Sequence, residues 1–281
     1  MQVKDRIMSS LSQAQSLLLA EQLATFGDVP GALKLCTDIL AAEPDNSEAR
    51  RLRGALQFRS GRIAAYRINL PHRTDRLMES RENEARQGVP EGAVKLFPAI
   101  ADPESGAIGC GKSHIAVLTD FFLYQSAPYC MVLEDDLDFL RPIHEVTEIL
   151  ADLEAARAAW DVLLLDAIDV TLIGQFGPSL LQVLETYCTG GYIVRRAYVP
   201  KLLACFVDGV SQLERFRSIS RTSFEADLEI RKRFAIDASW RQLQRRDCWM
   251  MGDPPLGQQR PSYSDIEGKD VDLTKRGLVQ D

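Results

Sequence analysis

A chain of 281 residues, 46% of them hydrophobic, is long enough for one large core and a small accessory unit. Its formal net charge of -7 excludes a general nucleic-acid binder, which needs a basic footprint. The basic residues from Arg215 to Arg246 read as a solvated helical face, with a local cationic surface as the alternative. Six cysteines, Cys36, Cys110, Cys130, Cys188, Cys205 and Cys248, show neither metal-ligand spacing nor a disulfide framework, so a reducing, cytoplasmic setting is expected. Leu17-Leu18-Leu19 is too short an apolar run to span a bilayer, although peripheral attachment at its inner face stays open.

Residues 12 to 60 have helical periodicity broken by tight turns. Gly27-Asp28 and Gly61-Arg62 stand 34 positions apart, as do Ala20 and Gly54, and Pro44-Asp45-Asn46 divides the stretch. This spacing resembles the tetratricopeptide repeat, with about one and a half units in residues 1–62. So short an array lacks a long concave groove, leaving a stabilising or homodimerising appendage, or a docking site for a protein partner.

The pattern changes at Ile63. Ile63 to Leu70 reads as a strand, Pro71 to Arg76 as a loop opening a polar helix, and Val94 to Ile100 as a second apolar run. Ser113 to Tyr124 has helical spacing with Lys112 or Ser113 in its first turn, and Asp152 to Ala159 reads as an alanine-rich helix. Trp160 to Asp166 is another apolar run ending in an acid. Strands alternating with helices predict an α/β domain over residues 63–268 with a mainly parallel sheet, followed by a frayed tail at 269–281. Ligands of such sheets gather beyond the carboxyl ends of the strands, where Asn69, Glu134 to Asp138 and Asp166 fall.

Gly106-Ala-Ile-Gly-Cys-Gly111-Lys112-Ser113 fits the phosphate-loop pattern G-x-x-x-x-G-K-S. Against a nucleoside triphosphatase or kinase built on Gly106 to Ser113 stand Pro98 and the intervening Ala101 to Ser105, where a clean strand should lead into the loop. The strongest chemical signal is the run Tyr129 to Leu133, which ends in Glu134, Asp135, Asp136 and Asp138. Strand alternation would put Glu134, Asp136 and Asp138 on one face and Asp135 on the other. Such crowding is costly without a positive partner, and oxygen ligands suit magnesium or manganese carrying a diphosphate. The plain alternative is a solvated strand-to-turn junction.

Several segments together resemble glycosyltransferase family 25, the group of lipooligosaccharide sugar transferases and collagen galactosyltransferases. They are Ile68-Asn69-Leu70 with Arg73, Asp75 and Arg76; Gly109-Cys110 with Ser113-His114-Ile115; Val132 to Asp136; Thr189 to Val194; and Gln259 to Ile266. The chain departs from that pattern at Gly111-Lys112 and at Asp166. The resemblance implies a nucleotide-sugar-binding GT-A-like α/β fold, a UDP-sugar donor, a glycan acceptor, usually manganese, and inversion at the anomeric carbon.

On that reading Asp136 is the principal metal ligand, with Glu134 a second ligand or a partner for the donor's ribose. Inversion needs a general base: Asp237 is the first candidate and Asp166 the second, while Asp135 would orient a loop or the acceptor. Asn69 could read a base edge or ribose, Arg73 and Arg76 could contact phosphate or secure the loop through Asp75, and Ser113 and His114 sit at a helix start, the His114 ring either facing the donor or satisfied in the core. Gly190-Gly191 would let a sugar approach the backbone, and Arg260 would close over the diphosphate. Asp138 reads as an acidic cap before Arg141-Pro142. A non-catalytic adaptor with a disabled site is the rival from another class.

Overall fold

The computed structural model describes residues 12–264 and 269–272. Lys269–Val271, expected in a frayed tail, instead pair antiparallel with Ser262–Ser264; the tail beyond residue 272 and the motif residues Asp265 and Ile266 lie outside the described residues.

Three helices open the chain: α1 (Gln13–Thr25), α2 (Val29–Ala42) and α3 (Ser47–Arg59). Each start is capped by a side-chain oxygen, from Ser12, Asp28 and Asn46 respectively, which satisfies first-turn N–H groups. The two glycines spaced by 34 residues share a backbone role: Gly27 and Gly61 have φ of +86° and +74°. Ala20, Ala32, Leu35, Cys36 and Leu56 form a small core between the helices. The unit is not detached from the main body. Phe58 enters a core of that body, and Arg53 pairs with Glu148 at 2.9 Å.

The body contains β1 (Ile63–Asn69), α4 (Thr74–Arg86), β2 (Val94–Pro98), α5 (Gly106–Tyr124), β3 (Tyr129–Glu134), β4 (Leu137–Phe139), α6 (Ile143–Ala155) and β5 (Val162–Leu164). It continues with β6 (Ile168–Gly177), β7 (Leu180–Tyr187), β8 (Gly191–Arg195), α7 (Val199–Arg215), α8 (Arg217–Ser220), α9 (Phe224–Phe234), α10 (Ile236–Ser239) and α11 (Arg241–Gln244). Four short strands close the described chain: β9 (Trp249–Gly252), β10 (Gly257–Gln259), β11 (Ser262–Ser264) and β12 (Lys269–Val271). Eight strands form one sheet in the order β2-β1-β3-β8-β5-β9-β7-β6, giving a mixed α/β fold with a large central sheet.

The sheet is mixed rather than mainly parallel. β1 runs parallel to β2 and β3, and β5 to β9, but β8 is antiparallel to both its neighbours, as are the β7–β9 and β6–β7 pairs. β8 is buried on both faces at Tyr192, Ile193 and Val194, so its apolar run carries no mark of its direction.

Two helix boundaries also move. α5 starts seven residues before Ser113, where the Ser105 hydroxyl caps the Ile108 N–H. α6 starts at Ile143 behind Pro142, and the alanine-rich stretch is only its end. The helical front seats on α6 through Gly54, whose added Cβ would lie 2.4 Å from His144 Cβ and 2.5 Å from its Cα. A backbone atom cannot step aside, so overpacking should outweigh alanine's better helix propensity. Gly54→Ala is therefore expected to cost about 1–3 kcal/mol, read as a fall in denaturant midpoint; a stabilised variant would mean that α3 and α6 do not meet.

Candidate metal and substrate cleft

A cleft of about 500 Å³ opens beyond the carboxyl ends of β1 and β3, within the range of small-ligand sites. Ile68, Leu70 and His72 line one side, the loop Ala99 to Ser105 and the first turns of α5 another. Glu134, Asp135 and Asp136 form its acidic floor, and Gln259, Arg260, Ser262 and Val271 close it. Thus the acidic turn, the end of β1 and the Gln259-to-Ser262 segment meet at one place.

The acids do not alternate along one strand. β3 ends at Glu134, Asp135 and Asp136 make a turn, and Asp138 belongs to β4. Arg76, buried, donates from Nη1 to Asp135 Oδ1 at 2.7 Å and also lies 3.3 Å from Asp136 Oδ2. Its Nη2 donates to Ser262 Oγ at 2.8 Å and to the Tyr263 carbonyl at 2.6 Å. Asp138 is not a cap before Arg141; it pairs with Arg260. Arg260 also donates from its backbone N to the Asp136 carbonyl and from Nη2 to the Asp135 carbonyl, both at 2.8 Å. Below the turn, buried Arg67 donates to the Glu134 carbonyl at 2.6 Å and to Glu84 at 2.8 Å. Arginines therefore splint the acidic turn from three sides.

Glu134 Oε1 accepts from Thr189 Oγ1 at 2.7 Å and lies 3.2 Å from His114 Nε2. Burial raises its pKa, but the bonds from His114 and Thr189 and the charge of Arg76 more than offset this, leaving it lowered. Asp136 goes the other way. Burial, then the Glu134 and Asp135 carboxylates, push it up to about 7 against the pull of Arg76 and Arg260. Burial likewise raises Asp135 despite its bond to Arg76.

Other expected residues are placed differently. Asn69 is buried, donates to the Leu70 carbonyl at 2.7 Å, and leaves its Oδ1 buried with no hydrogen-bond partner. Arg73 does not line the cleft; it holds Asp75 at 3.0 Å, and that bond depresses the Asp75 pKa to about 2. Ser113 lines the cleft but is used locally, its Oγ accepting from Ile100 N and donating to the Gly109 carbonyl, both at 2.8 Å.

Gly190 and Gly191 make room for protein and do not line the cleft. An added Cβ would meet Gln259 Cγ at 2.9 Å and Leu137 Cδ2 at 2.3 Å respectively. Asp166 accepts from the Cys188 thiol and the Gln259 N–H, both at 3.2 Å. Burial raises both Asp166 and Asp237, but neither lines the cleft, and Asp237 sits in the first turn of α10.

The phosphate-loop reading is overturned. Gly106 to Ser113 lie inside α5, so their N–H groups belong to a helix rather than an open cradle. The glycines serve packing: a Cβ at Gly109 would meet the Ile100 carbonyl at 2.7 Å, and one at Gly111 the Val210 side chain at 2.4 Å. Lys112 pairs with Glu214 at 2.7 Å. Lys112→Ala should change stability by less than about 1 kcal/mol, as partly exposed pairs do, and leave ligand binding by the cleft intact. Loss of that binding in isothermal titration would restore the phosphate-loop reading.

Three residues in or beside the cleft belong to the motif segments but have no individual role on the sequence alone: Gln259, Cys110 and Thr189. Gln259 Nε2 donates to Asp136 Oδ1 at 3.3 Å, and its amide oxygen accepts from the Cys188 thiol. The cysteines looked scattered, yet Cys110 and His114 stand four apart on α5. The Cys110 Sγ, a His114 ring nitrogen and a Glu134 oxygen lie within 4.8 Å of one another, a set that could hold a metal ion.

Among the described residues no helix is long and apolar enough to cross a membrane. No protein-family description matches the chain, and no curated protein matches it. Among solved structures, the chain is similar to mannose-1-phosphate geranyltransferase from Thermus thermophilus, at 12% identity and a TM-score of 0.38, over 68% of this chain and 73% of that one.

Proposed function

We propose that this chain is a metal-dependent glycosyltransferase with a GT-A-like fold, moving a hexose from a UDP-sugar to a hydroxyl of a glycan acceptor with inversion. The observation that carries the reading is the acidic floor of the cleft at the end of β3, where Asp136 stands beside Glu134 and burial raises its carboxyl. A surplus of negative charge there fits a hard divalent cation, manganese or magnesium, bound by Asp136 and Glu134. When bound, that cation would supply Lewis-acid neutralisation of the departing diphosphate.

The chain's own groups have the remaining tasks. Arg76 and Arg260 hold the turn so that Asp136 stays in the cleft rather than turning to solvent. Ile68 and Leu70 offer an apolar wall, whereas Asn69 does not line the cleft and its Oδ1 is buried away from it. Of the three acids named for catalysis, only Asp135 lines the cleft, where Arg76 restrains it. Asp237 and Asp166 do not line the cleft, so Asp135 is the acid of the three placed to meet an acceptor hydroxyl. The motif order resembling family 25 supports the same reading, and the tetratricopeptide-like front would serve docking or dimerisation.

Mass spectrometry against a panel of UDP-sugars tests the proposal. Manganese-dependent consumption of one UDP-hexose is expected. If no donor is consumed, even by slow hydrolysis, the reading fails in favour of a non-catalytic adaptor.

A further inference from the structure

We propose that Cys110, His114 and Glu134 form a second, thiophilic cation site for a borderline metal of the zinc class, which shares Glu134 with the hard-cation pair and so switches that pair off. Cys110 and His114 project from one face of α5, and Glu134 meets them from the end of β3. Their ligand atoms lie within 4.8 Å of one another, and His114 Nε2 is already 3.2 Å from Glu134 Oε1. A tetrahedral zinc ion with bonds of about 2.0–2.3 Å needs ligand separations of roughly 3.4–3.7 Å, so closure asks for a shift of about 1 Å. All three residues line the cleft, which leaves the fourth position open to water or ligand.

The surroundings match a metal site better than a chance meeting of side chains. His114 Nδ1 lies 3.0 Å from the Tyr192 hydroxyl, and the ring stacks on Tyr192 and meets Phe206 edge-on. An outer partner of this kind fixes ring orientation in metal sites. Tyr192 is a hydroxyl and suits both states. A neutral His114 needs it as donor to Nδ1 when Nε2–H faces Glu134, and as acceptor from Nδ1–H when Nε2 holds the metal. Thr189 donates to Glu134 Oε1 at 2.7 Å and so holds the carboxylate beside the ring. Binding balances as one proton lost from the Cys110 thiol and one moved between the nitrogens of His114. The set of sulfur, nitrogen and one oxygen favours zinc or cobalt, whereas Glu134 with Asp136 offers oxygen alone and favours manganese or magnesium.

The exclusion rests on the proposed function; the binding itself does not. Cobalt(II) added to the reduced full-length protein is the probe, followed by its sulfur-to-cobalt charge-transfer absorption and visible ligand-field bands. One equivalent should produce the charge-transfer band in the wild type, in Asp136→Asn and in Cys188→Ser, and zinc should erase it. The band should vanish in Cys110→Ser. A wild type without it, or a Cys110→Ser protein that keeps it, overturns the site. Should Cys110→Ser fail to fold, Glu134→Gln must weaken cobalt about ten-fold or more while retaining the band, and unchanged affinity overturns the site. If cobalt binds but UDP never does with manganese, this cation site stands and the proposed function falls. If zinc leaves manganese-dependent UDP binding intact, the exclusion is wrong.

Discussion

Asp136→Asn is expected to abolish manganese-dependent donor binding, lower transfer by roughly 10²–10³-fold, and stabilise the metal-free protein above neutral pH. The activity scale is that of losing one group that stabilises leaving charge. The stability effect follows from the raised pKa, about 7 against an ordinary 3.8. Between those values the folded protein holds a proton that the unfolded chain has lost, so stability falls as pH rises through the interval. Above about pH 7 the buried carboxylate is charged at a cost on the order of 2–4 kcal/mol, which the amide does not incur. Melting curves at pH 4.5 and pH 8 should show a small advantage for the variant at the lower pH and a gap of about 5–10 °C at the higher. The same gap at both values would mean that Asp136 is not held by burial beside Glu134 and Asp135. Activity retained by the stabilised variant would separate the strain from any role in the reaction.

Arg76→Ala is expected to destabilise the protein by about 3–5 kcal/mol, the cost of breaking a buried ion pair from one side. Arg76 and Asp135 are both nearly buried and 2.7 Å apart, so truncating the arginine strands the acid. It also frees Ser262 and the Tyr263 carbonyl, which bind the closing segment to α4. Adding Asp135→Asn should recover about 1–3 kcal/mol, and a double-mutant cycle in urea measures that coupling. Simple additivity would show that the pair is not the connection between the acidic turn and the closing segment.

Both variants probe a site whose location, though not its wiring, could be read from the residues. β1, β3 and β5 were visible because each is an apolar run ending near a polar or acidic residue. The β6–β7 hairpin was not. Ile173 and Phe176 are among its exposed residues, so its burial is too partial to leave a clean period. The Gly106 to Ser113 motif misled because glycines demanded by helix packing look the same in sequence as glycines that cradle phosphate. Charge pairing was the least legible. Arg76 with Asp135, and Arg260 with Asp138, join positions 59 and 122 residues apart. Nothing local marks such pairs, and strand alternation pointed wrongly because a turn at Asp135-Asp136 interrupts it. Asp166 follows an apolar strand and Asp237 an apolar run that is helical, and neither pattern distinguishes a cleft-lining acid from one beside it.

Calorimetric titration of UDP into the protein with and without manganese tests the central claim most directly. Tight binding that requires manganese, and that Asp136→Asn abolishes, is the predicted result. Binding that ignores the metal, or no binding in either condition, would contradict a cation-bridged diphosphate on the floor of this cleft.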